Sequence, residues 1–151
     1  MKKPFLLFSF LFISLVAFGQ RTDYGKLLEQ AKTGESITTK TKDSESTITY
    51  LGTIKNEKGK VVFFVVKEFI RIQAAKQKHG RSTILFFDNQ KNKIAEYRVN
   101  LPDELPKKLI KNILYFTAKD SKGNRIEHQQ EISITLPEYI CVSSEECFNK
   151  S

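Results

Sequence analysis

The sequence predicts a mainly β protein. The expected form is an antiparallel β-sandwich or curled meander sheet of six to seven strands, preceded by an export signal and a flexible lead-in. Three observations predict it. Period-two alternation and short β-branched or aromatic runs recur from Thr47 to Ile134. Clusters rich in Asn, Asp, Gly and Lys separate those runs. The one long apolar stretch lies at the extreme N-terminus.

Residues 1–20 read as a signal peptide. Lys2 and Lys3 supply the charged start, and the run from Phe5 to Phe18 is interrupted only by Ser9 and Ser14. Ala17 and Gly19 are small residues in the spacing a signal peptidase reads, so cleavage is expected after Gly19 or Gln20. An uncleaved anchor fits less well: the charge-free stretch ends at Arg21, and a spanning helix needs about 20 apolar residues. No cysteine lies near the junction to take a lipid, and no later segment is apolar enough to span a membrane. The expected location is therefore periplasmic or secreted.

Residues 21–46 are polar and read as a flexible lead-in, in which Leu27, Leu28 and Ala31 can line one side of a short helix ending near Gly34. The β-rich domain spans residues 47–151. Ile48, Tyr50 and Ile54 alternate with threonines, as in a half-buried strand. Val61 to Val66 is apolar throughout and suits a strand covered on both faces. Residues 67–78 fit a long bent strand or a helical turn; strand is preferred through Ile72, with a polar turn around Gly80. Ser82–Phe87, Ile94–Val99, Ile113–Lys119 and Arg125–Ile134 are the remaining strands. Pro106 is placed to open a short helix near 106–111, and Pro137 is expected to end regular structure. Turn clusters begin at Asn56, Asp88 and Asp120, 32 residues apart each time. That spacing fits three hairpins of similar length, or a decayed repeat.

Without Lys2 and Lys3, 23 basic side chains face 17 acidic ones. Such a surplus favours anionic partners, or serves solubility alone. Nucleic acid is an unsuitable partner, because the basic clusters lack interleaved aromatics and the chain carries an export signal. Cys141 and Cys147 are expected to form a disulfide stapling the C-terminal tail, as exported proteins mature in an oxidising space. Two thiolates with no nearby histidine supply too few ligands for a metal, so no metal or cofactor is expected.

Three segments carry candidate chemistry. Around Gly80, His79 and Ser82 resemble a base and a nucleophile beside Arg81, but nothing in the spacing supplies an orienting acid, and a polar turn is the preferred reading. His128 lies in an alternating strand and is expected to face solvent. Asp103 and Glu104, set between Pro102 and Pro106, suit capping better than acid–base work. Two basic groups, Lys76, Lys78 and Arg81 in one and Lys107, Lys108 and Lys111 in the other, would form a single patch if the fold joined them. With Asp103 and Glu104 they are the expected contact residues. The function expected is a non-enzymatic exported module that binds another exported or envelope protein, such as an inhibitor or immunity factor. The alternatives are binding of an anionic envelope polymer or lipid headgroup through the basic face, and a small hydrolase using His79 or His128.

Overall fold

A computed structural model describes residues 24–30, 32–74 and 77–151. The signal peptide expected over residues 1–20 lies outside them. Strands β1 (Ser36–Lys40), β2 (Ser44–Lys55), β3 (Val61–Ala74), β4 (Gln77–Phe87) and β5 (Lys93–Val99) form one antiparallel sheet in sequence order. A second sheet holds β6 (Lys108–Ile110), β7 (Ile113–Lys119) and β8 (Arg125–Glu131), and β9 (Tyr139–Cys141) pairs with β10 (Cys147–Asn149). The mainly antiparallel β architecture is as expected, with ten strands among the described residues rather than six or seven. The additional ones (β1, β6, β9 and β10) are three to five residues long, too short to show a period in sequence.

The five-stranded sheet is covered on both faces. On one face Phe63, Val65, Ile84, Phe86, Ala95, Tyr97 and Val99 pack with Leu109, Leu114 and Phe116 of the second sheet, with Ile132 just past β8, and with Ile140 and Val142. On the other face Leu27 and Leu28 of helix α1 (Tyr24–Gln30) pack on Ile48, Tyr50, Val66, Leu85 and Phe87. Gly52 makes the two faces compatible. It sits at a register shift in β2, with φ +131°. Before the shift, even-numbered Ile48 and Tyr50 face the helix; after it, even-numbered Ile54 faces the second sheet. A one-residue slip reverses the side on which each side chain emerges, and a bulge is how a strand makes that slip.

Four expectations are corrected. The polar stretch before Thr47 forms β1 and the start of β2, stabilised by paired hydroxyls across the strands, Ser36–Thr49 at 2.8 Å and Thr38–Thr47 at 3.1 Å. The helix near 106–111 is absent; β6 and β7 instead form a tight hairpin. Lys111 and Asn112 take φ +48° and +63° at its tip, and the Asn112 side chain holds the β2 backbone at Lys55, accepting from its N–H at 3.0 Å and donating to its C=O at 2.7 Å. That tertiary clamp favours a hairpin where local propensity suggested a helix. Gly80 is not a bend: His79, Gly80, Arg81 and Ser82 all lie inside β4, paired with Ile72, Arg71, Ile70 and Phe69. Finally, regular structure continues past Pro137, and the tail belongs to the core. Ile140 and Val142 are buried, Tyr97 donates to the Pro137 carbonyl at 2.6 Å, and Ser151 exchanges backbone hydrogen bonds with Glu96.

The three turn clusters adopt one geometry. In each, an Asn or Asp oxygen accepts backbone N–H bonds two and four residues on: Asn56 from Lys58 and Lys60, Asp88 from Gln90 and Asn92, Asp120 from Lys122 and Asn124. The fourth residue has positive φ in every case: Gly59 +74°, Lys91 +67°, Gly123 +82°. This is a side-chain-stabilised hairpin turn, built three times.

Candidate functional site

The segment expected to be rigid, Leu101–Pro106, crosses one end of the sandwich. Pro102–Glu104 form a single 3₁₀ turn. Its start is held by the Glu104 carboxylate, which accepts the Leu101 N–H at 2.9 Å. Its far side is anchored by buried Leu105 and by Lys67, which reaches up from β3 to donate to the Pro106 carbonyl at 3.0 Å. Burial, and secondarily the Lys107 charge, pull the Lys67 ammonium below its ordinary value. Lys107 donates to the Asp103 carbonyl at 3.1 Å. Thus the Glu104 carboxylate caps this local turn, whereas Asp103 serves it through its main-chain carbonyl, and the helix after Pro106 that the two were expected to cap is not formed. Leu101 is left outside, 57 % exposed.

Leu101 stands between two clefts. One, about 240 Å³, is lined by Phe69, Arg71, His79 and Gly80 with Asn100, Leu101 and Pro102. The other, about 270 Å³, lies between Asp103, Glu104 and Lys107 on one side and Lys119, Arg125 and Glu146 on the other. Asn100 links the end of β5 to the tail by donating to Glu146 at 2.9 Å. A larger cleft of about 590 Å³ opens at the opposite end, beside the Asn56 turn and exposed Ile134, and contains none of the expected contact residues.

The structure brings the Gly80 segment and the Leu101 segment together, as the walls of the smaller cleft. It does not join the two basic groups. Arg81 projects from the helix-covered face, 3.7 Å from the buried Glu68 carboxylate, whereas Lys107 lies by the second sheet. Lys108 rests over the Tyr115 ring at 4.8 Å, and Lys111 is at the tip of the β6–β7 hairpin, away from Lys107. Lys78 pairs with Gln73 near the tip of the β3–β4 hairpin, and Lys76 lies outside the described residues. The single basic patch is therefore corrected to separate cations on different faces.

No family model, no curated protein and no solved structure matches the chain. The site's chemistry must be read from its own residues.

Ser82 is only 2 % exposed, inside the inter-sheet layer. His79 is exposed, and no hydrogen bond joins it to a carboxylate among the described residues. His128 departs from expectation: it pairs with Phe116 across β7 and β8, its ring 6.5 Å from that core phenylalanine, and is half-buried. No group of three or more His, Cys, Asp or Glu side chains suits a metal ion, and no helix is long and apolar enough to cross a membrane, among the described residues. Cys141 and Cys147 form the expected disulfide, directly across the β9–β10 pair.

Sequence reading missed Lys67, Phe69, Arg71 and Asn100. A signal was present for the first. Lys67 and Glu68 interrupt the apolar run Val61–Ile70, and charges inside such a strand need partners. Phe69 and Arg71 became visible only when strand pairing set them opposite Ser82 and Gly80.

Proposed function

We propose that the protein is an exported, non-enzymatic binding domain that contacts another exported or envelope protein through the end of the sandwich around Leu101, acting as an inhibitor, an immunity factor or an envelope interaction module. The observation that carries this reading is the exposed Leu101 side chain on a turn fixed by Glu104, Leu105 and the Lys67–Pro106 hydrogen bond, with a cleft on either side. An apolar side chain on a rigid, pre-organised loop loses little entropy when covered, which is what an interface anchor requires. The Cys141–Cys147 disulfide supports maturation in an oxidising compartment. The dispersal of Arg81, Lys107 and Lys111 supports a packed protein contact over a charged polymer, which would draw on a continuous basic face.

The test is a pull-down by the mature, oxidised protein from its own cell envelope, washed at low and moderate salt. One protein should survive the moderate-salt wash and be lost from a Leu101→Asp variant. Capture of only anionic glycan or lipid, released as salt rises, would overturn the reading in favour of polymer binding.

A further inference from the structure

The smaller cleft lies beside an unfinished strand edge. β5 pairs with β4 from Phe87 back to Ser82, whose partner is Val99, and then ends. β4 continues to Gln77 with β3 alone beside it. Among the described residues, no hydrogen bond joins the outer edge of Gln77–Arg81 to another segment. Alternate residues of a strand point their N–H and C=O groups to opposite edges, so this stretch presents free donors and acceptors in line.

The chain that would have continued β5 turns aside at Asn100–Pro102 and becomes a wall instead. The floor is Gly80 and the Phe69 ring. A Cβ on Gly80 would meet Phe69 Cε2 at 3.0 Å, so the ring closes over the strand only because residue 80 lacks a side chain. The Arg71 guanidinium lies 5.9 Å from the Phe69 ring centre and is exposed. It has no carboxylate within ion-pair distance among the described residues, whereas Arg81, 47 % exposed, pairs with Glu68.

We propose that this edge receives an extended acidic segment of a partner protein as an added strand, with alternate side chains entering the cleft and a carboxylate meeting Arg71. The inference rests on the protein-binding reading above and names its mode and the chemistry of its partner. Strand addition takes affinity from main-chain hydrogen bonds and specificity from side-chain pockets, and both are present here. The charges decide the occupant. A second copy of this basic chain would add positive charge beside Arg71, whereas an acidic strand is attracted to it.

The experiment pans a displayed library of random peptides, each about ten residues long so that the five-residue edge Gln77–Arg81 is covered with flanking chain on both sides, on the mature, oxidised protein. Enriched peptides should combine β-branched residues with Asp or Glu. Synthetic copies with alternate backbone nitrogens methylated should lose binding in one register and keep it in the other, because only one set of the peptide's N–H groups faces the β4 edge. Arg71→Glu should weaken binding about tenfold or more, while Lys60→Glu, the same charge change in the Asn56 turn at the far end, should leave it intact. Absence of an acidic consensus, indifference to methylation in both registers, equal loss from Lys60→Glu, or capture by anionic phospholipid vesicles instead of peptides would each overturn the proposal. An envelope protein captured by wild type and equally by Arg71→Glu would overturn strand addition while leaving the binding-domain reading standing. Capture of no protein by wild type would remove that reading itself.

Discussion

The Tyr24 hydroxyl donates a 2.7 Å hydrogen bond to the Glu68 carboxylate, joining the short N-terminal helix to the middle of β3. Glu68 is 3 % exposed, set between Ile48 and Thr83 of the adjacent strands. Its remaining contacts are a Ser46 hydroxyl at 3.5 Å and the Arg81 guanidinium at 3.7 Å. A seven-residue helix is too short to persist by itself, so α1 depends on this bond, on Leu27 and Leu28, and on the Tyr24–Phe87 ring contact at 5.2 Å.

Tyr24→Phe preserves the ring and removes the hydroxyl. Leaving a buried carboxylate short of one donor should destabilise the protein by about 1–3 kcal/mol. Urea unfolding measures the loss, and hydrogen exchange should show the helix amides losing protection before the sheet. A variant as stable as wild type would show that Glu68 does not depend on the hydroxyl.

Tyr97 anchors the opposite face to the tail. It is fully buried, and burial, with a further push from Glu138, raises its phenol to about 12. Its unfolded value is near 10, so the neutral phenol's contribution is complete below pH 10 and is lost as pH rises toward 12. Phenolate absorbance on alkaline titration should place one tyrosine in that upper range. Tyr97→Phe should remove that late titration and destabilise the protein by about 1 kcal/mol by orphaning the Pro137 carbonyl.

The Asp88 and Asp120 carboxyls are both held below their ordinary value of 3.8. For Asp88 the chief cause is the Asn92 backbone N–H, and for Asp120 the Asn124 side chain. Because the folded values are depressed, the stability these turns contribute is present above the ordinary value of 3.8 and is lost as pH falls below it through the depressed folded values. Asn56 fills the same role in the first turn with a neutral amide. Asp88→Asn and Asp120→Asn should therefore fold normally and flatten the acid limb of a melting-temperature profile. An unchanged acid limb would place the sensitivity elsewhere.

Gly123 isolates the backbone term of that turn. Its φ is +82° and nothing lies within 4 Å of an added Cβ. Gly123→Ala should cost about 1 kcal/mol through conformation alone, read as a lower urea midpoint with an unaltered slope.

Replacing both Cys141 and Cys147 by Ser should lower stability by about 2 kcal/mol, the loop-entropy value for so small a ring. Ile140 and Val142 remain available to the core, so the fold should persist while the β9–β10 backbone exchanges faster. Global unfolding of the double variant would show that the ring is needed for the core itself.

Much of the fold was legible because its central strands obey local rules. Ala95, Tyr97 and Val99 are buried, as the alternation of their strand required, and the three Asn/Asp turns stand where their composition placed them. The disulfide followed from two cysteines in a chain whose N-terminus reads as an export signal. The candidate site was legible only in part. Leu101–Pro106 and the Gly80 segment were singled out, but as separate contact elements, and their meeting at one cleft depends on strand register.

By itself, then, the sequence determined the β class, the central strands, the turns and the covalent staple, because periodicity, positive-φ tolerance and cysteine chemistry act over neighbouring residues. The tertiary structure decided the rest. The bulge at Gly52 reversed the faces of β2, the Asn112 clamp on Lys55 made a hairpin where Pro106 suggested a helix, and β4 outran β5 to leave a free edge beside Leu101. Each of these depends on hydrogen bonds and packing between residues distant in the chain, whose energy no local pattern records.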